Sequence, residues 1–173
     1  MPSANPKTTA SWIVPLPWGD ADEFWHSTAE GVLRLPRCPD TGRFIFPPTP
    51  TSPWGSHRVP EWVPVEGRGT IWSFIVAHPP LVGQFAELAP YVSAVVELDD
   101  APGARLVGLV VASPGAPAGS VSAAEVYIGA PVQIDLTSEE GEGPVVPRWV
   151  LLPGTRCPDG TSDDAVSQSR VRN

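Results

Sequence analysis

The sequence contains 23 prolines and 16 glycines among its 173 residues. Proline interrupts the hydrogen bonds of a helix interior, and glycine destabilises helices through its backbone freedom. This composition excludes a helical bundle or a coiled coil and favours short strands joined by turns. The length fits one domain, or one domain with a small appendage, and it is sufficient to bury a core without disulfides or metals.

Five segments in the second half have the alternating or β-branched pattern of strands. In the first of them, Ile71, Ser73 and Ile75 are predicted to share one face, with Trp72 and Phe74 on the other. The second and third segments flank a turn that contains glycine and proline, so they should pair as a hairpin. Five short strands in so short a stretch indicate a small closed barrel of the OB type, and the fold class is predicted to be mainly β. The predicted strands span residues 67–78, 91–98, 105–112, 131–137 and 145–152.

One helix is predicted over residues 20–31. Asp20 is a suitable N-cap, and Glu23 three residues later completes a pattern like a capping box. Phe24 and Trp25 are two large aromatic residues on this short helix. They either pack on their own domain or form a docking surface for another chain, since aromatic residues are enriched at interfaces.

The proline-rich stretch 34–65 lacks periodicity and would normally need a staple to hold its shape. The natural staple is zinc bound by two Cys-x-x-Cys turns, but only Cys38 is present. Threonine or tryptophan stands at the other three ligand positions, which we assign to Thr41, Thr51 and Trp54. One thiolate cannot hold tetrahedral zinc, and His57 could add only one further ligand, so no metal is expected. Packing should replace it, and the available aromatic residues are Phe44, Phe46, Trp54 and Trp62.

These patterns divide the chain into a flexible segment (1–19), the N-terminal helix (20–33), a degenerate zinc-ribbon segment (34–65), an OB-fold domain (66–153) and a disordered tail (154–173). The sequence contains no run of 18 apolar residues, so no transmembrane helix is predicted, and the N-terminus lacks the pattern of a secretory signal. The cysteines, Cys38 and Cys157, are too few for a disulfide framework. Reduced thiols in a cytoplasmic protein are therefore expected.

The net charge of −8 lies almost entirely in one segment. Residues 85–146 contain nine acidic side chains and a single basic one, Arg105. Such a surface repels phosphate backbones, so nucleic acid is not an expected partner even for a barrel of the OB type.

The residues that could perform catalysis are scattered. His26 lies within the predicted helix, where a solvated or capping role is expected, and His78 ends the first strand, where it is either a general base or a hydrogen-bonded loop residue. Ser73 and Ser93 lie within strands with no visible base to activate them. We therefore predict no catalytic residue in this chain.

Several landmarks stand in a characteristic order over residues 20–150. They are Phe24-Trp25, the segment from Glu30 to Cys38, Phe46-Pro47-Pro48, the segment from Glu61 to Ile71, His78-Pro79-Pro80, Tyr91-Val92, Val96-Glu97-Leu98, Arg105-Leu106-Val107 and the segment from Ile128 to Val132. In this order they resemble the acyl-CoA-associated OB-fold family with an N-terminal zinc ribbon, also known as domain-of-unknown-function family thirty-five.

The resemblance implies a partner subunit. Members of this family are non-catalytic subunits or domains that dock onto thiolase-superfamily enzymes acting on acyl-CoA thioesters. For this chain it implies foremost the partner of a retro-aldolase in steroid side-chain degradation, in a heterotetramer or similar assembly. A CoA thioester would be the substrate of the complex, with no resident cofactor. The implied docking residues are Phe24, Trp25, Phe46 and Trp54, and the implied residues of the ligand channel are His78, Pro79, Pro80, Phe85 and Tyr91.

Three alternatives remain open from the sequence. The chain could be a stand-alone module that binds acyl-CoA in its own barrel. It could belong to a thiolase or acyltransferase complex in place of an aldolase. It could also be a homodimer that buries the aromatic helix.

Overall fold

A short helix, a two-stranded ribbon and a five-stranded barrel follow one another along the chain. The structure, a computed structural model, describes residues 19–54, 57–81, 85–86, 88–137 and 145–154. Its elements are α1 (Asp22–Ala29), β1 (Arg34–Arg37), β2 (Glu61–Pro64), β3 (Arg68–Ala77), β4 (Tyr91–Leu98), β5 (Arg105–Val111), β6 (Pro131–Asp135) and β7 (Arg148–Leu151), with 3-10 turns at Gly19–Ala21 and Ala123–Glu125. The mainly β fold class is confirmed, together with the helix that precedes the ribbon.

Most of the two predicted flexible ends, and the acidic turn between the last two predicted strands, lie outside the described residues. Within the part of the chain that the structure describes, no helix has the length and apolar character needed to cross a membrane.

Helix α1 begins later than the capping pattern predicted. The chain already forms a 3-10 turn at Gly19–Ala21, so Ala21 is the N-cap and no side chain caps it. The predicted N-cap at Asp20 is therefore wrong. Glu23 instead forms an ion pair with Arg34 of β1 across a distance of 3.1 Å. Both side chains are 41% exposed, so this pair contributes little to stability.

The ribbon consists of β1 and β2, which pair antiparallel from Arg34–Pro64 to Arg37–Glu61. A further bridge joins Arg37 to Phe44 in the loop between them. Leu35 is fully buried, and the backbone of Val65 donates to the carbonyl of Leu33 at 2.9 Å. The ribbon therefore leads directly into the first strand of the barrel.

The barrel closes in the order β3-β4-β5-β7-β6, with β6 returning to β3. All neighbours are antiparallel except β5 and β7, which run parallel. Strand β4 shows the regular alternation of a strand with one face inside, because every second residue from Val92 to Leu98 is buried. The predicted hairpin of β4 and β5 is confirmed. The inside of the barrel is filled by Ile71, Val92, Ala94, Val96, Leu98, Leu106, Val110, Val132 and Trp149.

A β-bulge interrupts strand β3. Ile71 pairs with Val96 of β4, whereas Ser73 pairs with Val95, so β3 has one extra residue. An extra residue reverses the alternation beyond it. Ile71 is buried before the bulge, and Ile75 beyond it is 65% exposed. The prediction that both share one face is therefore wrong.

Trp149 is the largest fully buried side chain. The space that its indole ring occupies exists only because a glycine stands in the neighbouring strand. A Cβ atom at Gly108 would lie 2.9 Å from the indole ring of Trp149 and 2.5 Å from the carbonyl oxygen of Pro147. Gly108 thus permits the close approach that allows the indole to fill the end of the barrel.

A buried ion pair connects β6 and β7. Asp135 and Arg148 are directly paired residues, and their side chains meet at 2.8 Å with only 2% and 8% exposure. In the sequence, Gln133 and Asp135 alternate with Val132, Ile134 and Leu136, which is typical of a strand with one polar face, but the side chain of Asp135 is buried. The backbone of Gly115 and Thr137 also donates to its carboxylate, at 3.0 and 2.9 Å. The carboxylate therefore joins two strands and the loop that follows β5.

Candidate functional site

Three of the four predicted docking residues are near each other in the fold. The ring of Phe24 meets that of Trp25 edge-on at 4.9 Å between centroids and that of Phe46 at 5.6 Å. Phe24 is only 4% exposed, so it packs within its own chain, whereas Trp25 and Phe46 are half-buried at the margin of the core. The fourth, Trp54, makes its ring contact with the Arg43 guanidinium, 4.3 Å from the ring centroid.

Beside this helix lies a shallow groove of about 390 Å³. Acidic side chains of the helix and its preceding turn form one wall, and apolar side chains of the ribbon form the other. Its lining includes Asp20, Asp22, Glu23, His26, Val59 and Trp62. Because one wall is acidic, the groove is unsuited to the phosphates of a nucleotide.

The predicted channel residues lie along one connection at one end of the barrel. Ala77 at the end of β3 pairs with Tyr91 at the start of β4, so both ends of this connection are adjacent. His78, Pro79 and Pro80 are exposed, whereas Phe85 and Tyr91 are half-buried. Residues 82–84 and 87 of the same connection lie outside the described residues, and the channel itself stays a prediction.

The outer face of β3, β4 and β5 carries an apolar surface that sequence reasoning did not identify. Two rows cross it, Ser73–Val95–Val107 and Ile75–Ser93–Leu109. Ile75 is 65% and Val107 63% exposed, and Trp72 at the bulge is 51% exposed. We call the surface formed by Trp72 and the six residues of these two rows the outer barrel face. Only the pairing register of three strands places these side chains together, so no local sequence signal could have found it.

The outer barrel face has one charged margin. The guanidinium of Arg105 lies 4.0 Å from the ring centroid of Trp72 and forms a 2.8 Å ion pair with Glu97. Because the negative charge of Glu97 balances the positive charge of Arg105, the two side chains together add no net charge to this margin. Trp72 is also covered on one side by the guanidinium. Trp72 and Phe74 were predicted to share one face of the strand, but Trp72 is exposed and Phe74 packs against the core.

The two turns of the ribbon meet through a thiol and a hydroxyl. Ser52 donates a hydrogen bond from Oγ to Sγ of Cys38 at 3.0 Å, and both side chains are buried. Hydrogen bonds from Ser52 and from Thr41 outweigh the effect of burial and lower the pKa of Cys38 to about 6. Thr51, predicted to stand at a ligand position of the second turn, is exposed, and its neighbour Ser52 is the residue that faces Cys38.

The three histidines lie on separate elements. His26 is exposed on α1, His57 is exposed in the ribbon with a φ of 51°, and His78 is exposed after β3. Ser93 donates its hydroxyl hydrogen bond to the carbonyl of Gly108 at 3.5 Å. Among the described residues, no three His, Cys, Asp or Glu side chains are grouped so that they could hold a metal ion.

Two family models match successive parts of the chain. The model described as ChsH2, rubredoxin-like zinc ribbon domain, matches residues 25–51, and the model described as ChsH2, C-terminal OB-fold domain, matches residues 62–137. Together they match more than half of the chain.

One curated relative is the 3-oxo-4,17-pregnadiene-20-carboxyl-CoA hydratase alpha subunit of Mycobacterium tuberculosis (strain ATCC 25618 / H37Rv). It is 38% identical over 90 residues, which is 51% of this chain and 27% of the relative. The match therefore spans about a quarter of that protein's length.

Two solved structures share the fold. The Ltp2-ChsH2(DUF35) aldolase matches with a TM-score of 0.66 and 28% identity, over 79% of this chain and 98% of the aligned chain. A DUF35-family protein of unknown function from Sulfolobus solfataricus matches with a TM-score of 0.50 and 11% identity, over 77% and 85%, and shows the likeness of fold alone. With its ribbon and barrel matched in the same order, the chain belongs to the ChsH2-type DUF35 family of OB-fold proteins with an N-terminal rubredoxin-like ribbon.

Proposed function

We propose that the chain is a non-catalytic accessory subunit that docks onto a thiolase-superfamily enzyme acting on acyl-CoA thioesters. The proposed partner is a retro-aldolase of steroid side-chain degradation. The observation that carries the proposal is the match to the ChsH2(DUF35) chain of an aldolase, which extends over 98% of that chain. The curated relative, whose name describes a steroid acyl-CoA, supports the same substrate class.

The outer barrel face supports a docking role. Monomeric proteins rarely expose large contiguous apolar patches, and such patches often mark interaction sites. Ile75 and Val107 lie on adjacent rows of this face and are each more than half exposed. Trp25 and Phe46, which are half-buried at the margin of the core, form the second proposed docking surface.

The connection between β3 and β4 is the part of the chain that we propose to approach the acyl or pantetheine chain. It presents His78, Pro79 and Pro80 to solvent, with Phe85 and Tyr91 half-buried beside them. Proline and aromatic side chains offer apolar contact with few hydrogen bonds, as an acyl chain requires. The reacting groups would come from the enzyme partner.

The distribution of charge in this chain supports binding of the CoA phosphates by the enzyme partner. Residues 85–146 contain nine acidic side chains and one basic one. Arg105 is held by Glu97, and Arg148 in β7 is held by Asp135. We therefore propose that the partner supplies the basic contacts to CoA.

Co-expression tests the proposal. The tagged chain should co-purify in a fixed ratio with a thiolase-superfamily protein of its own host, and cleavage of a steroid β-hydroxyacyl-CoA should require both subunits. Absence of a stable complex with every such protein of the host would contradict the proposal.

Micromolar binding of acyl-CoA to the isolated chain in calorimetry would favour a stand-alone module. A dimer of the isolated chain in sedimentation would favour self-association.

Two substitutions test the surfaces. Val107→Arg introduces a charge on the outer barrel face, and Trp25→Arg introduces one beside the aromatic cluster. At least one of these two substitutions should weaken the association of the chain with the enzyme partner about tenfold or more, because an unpaired charge at an interface is costly. Ile128→Arg is the control, since Ile128 is 69% exposed and lies outside both surfaces. If all three variants associate with the enzyme partner equally well and have unchanged Tm values, neither surface takes part in docking.

A further inference from the structure

The ribbon of this family is described as a zinc ribbon, and its two turns are the place where a metal would bind. Structural zinc is held by four ligands drawn from cysteine, histidine and carboxylate side chains. In this chain the described turns contribute one sulfur, that of Cys38, and the side chains that hydrogen-bond to it are the hydroxyls of Ser52 and Thr41. This donor set does not fit zinc.

The first turn is closed by its own backbone. The amide of Cys38 donates to the carbonyl of Arg43, and the amide of Gly42 donates to the carbonyl of Cys38, both at 2.8 Å. Gly42 has a φ of 69°, which a glycine adopts without strain. The turn therefore keeps its shape through hydrogen bonds that need no ligand.

The second turn is closed in a related way around Ser52. Its amide donates to the carbonyl of Arg58 at 3.1 Å, and its hydroxyl oxygen accepts from the amide of Trp54 at 3.3 Å. The same hydroxyl donates to Sγ of Cys38. Ser52 thus holds its own turn and bonds to the other turn.

Two further contacts cross between the turns. Asp40 of the first turn forms a 3.0 Å ion pair with Arg58, which follows the second turn. Arg43 lies over the ring of Trp54 at 4.3 Å. These contacts are partly exposed, whereas Cys38 is 0% and Ser52 4% exposed. The buried pair at the centre is therefore flanked by a polar contact and an aromatic one.

We propose that the ribbon folds without metal, and that the Cys38–Ser52 hydrogen bond, flanked by the Asp40–Arg58 and Arg43–Trp54 contacts, replaces zinc as the link between the two turns. The lowered pKa of Cys38 agrees with this, because a thiolate is a better acceptor than a thiol for the Ser52 hydroxyl. The proposal concerns this chain alone and does not depend on its enzyme partner.

Zinc content is the first test. The full chain, purified without chelator, should contain far less than one zinc per chain, and its Tm should be unchanged by EDTA. About one zinc per chain, with a Tm that falls when the zinc is removed, would overturn the proposal.

Substitution of Ser52 is the second test, made in a Cys157→Ser background so that Cys38 is the single cysteine. Ser52→Ala should lower Tm by about 3–8 °C, because it removes the hydrogen bond that joins the buried sulfur of Cys38 to the second turn. It should also raise the apparent pKa of the thiol, measured by thiolate absorbance at about 240 nm. Thr51→Ala, an exposed neighbour, is the matched control and should change neither quantity. Identical thiol titrations of the Ser52→Ala and Thr51→Ala variants would contradict the proposed link.

Discussion

Single buried side chains determine how the barrel closes. Asp135 and Arg148 form an ion pair across β6 and β7, and the carboxylate also accepts hydrogen bonds from Gly115 and Thr137. Burial alone would raise the pKa of Asp135, but these hydrogen bonds and the charge of Arg148 outweigh it and hold the pKa below its usual value. The pair fixes register, since a slip of one residue would bury an unpaired charge.

Asp135→Asn should destabilise the chain by about 3–5 kcal/mol, because it removes the negative charge that balances the buried guanidinium of Arg148. The double variant Asp135→Leu/Arg148→Met removes both charges and should recover most of that loss. Urea unfolding of the three proteins provides the comparison. A double variant as unstable as the single one would show that the ion pair is not the cause.

The same pair gives a pH dependence with a definite sign. The folded pKa of Asp135 lies below its ordinary value of 3.8, so the native state binds fewer protons than the unfolded state in that range. Its stabilisation is complete above about pH 5 and is lost as the pH falls through 3.8 and then through the folded pKa. Tm should fall more steeply between pH 5 and 3 in the wild type than in the double variant. Parallel curves would contradict this.

Strand β3 decides which apolar residues fill the barrel and which are exposed. The bulge at Trp72 reverses the alternation, so Phe74 packs against the core and Ile75 is exposed. A bulge beside an exposed apolar surface is a common device for redirecting side chains at functional regions. The bulge therefore places Ile75 of β3 on the outer barrel face, beside the exposed residues of β4 and β5.

A pair of alanine substitutions tests the position of the bulge. Phe74→Ala should cost about 2 kcal/mol or more, because it removes a large side chain packed on the core. Ile75→Ala should cost less than about 0.5 kcal/mol, because the side chain lies mostly in solvent. Chemical unfolding of both variants measures the difference. The reverse order would mean that β3 alternates without interruption.

Local sequence signals predicted the strands well and their pairing less well. All five predicted barrel strands are present, although the last is confined to Arg148–Leu151 after Pro147. Proline, glycine and alternation are local signals, so they mark where strands begin and end. The bulge, the partner of Asp135 and the role of Ser52 depend on residues distant in sequence. A single sequence carries no direct record of such contacts.

Across the ribbon and barrel as a unit, charge separates this chain from OB folds that bind nucleic acid. Arg105 covers one face of Trp72 and is neutralised by Glu97, so neither a stacking platform nor a basic groove is available there. We expect single-stranded oligonucleotides not to quench the tryptophan fluorescence at low salt. Quenching with micromolar affinity that weakens as salt is added would contradict this expectation.

The position of β7 has a consequence for how the chain is made. It fills the gap between β5 and β6, so Leu109 finds its partner Arg148 only after the intervening chain has been synthesised. Before then, both neighbouring strands expose unpaired edges, the feature that recruits foreign strands and starts aggregation. The ribbon precedes the barrel in the chain, so it can form on the ribosome first. Chains that end before residue 148 should therefore accumulate as aggregates when they are expressed, in contrast to the full chain.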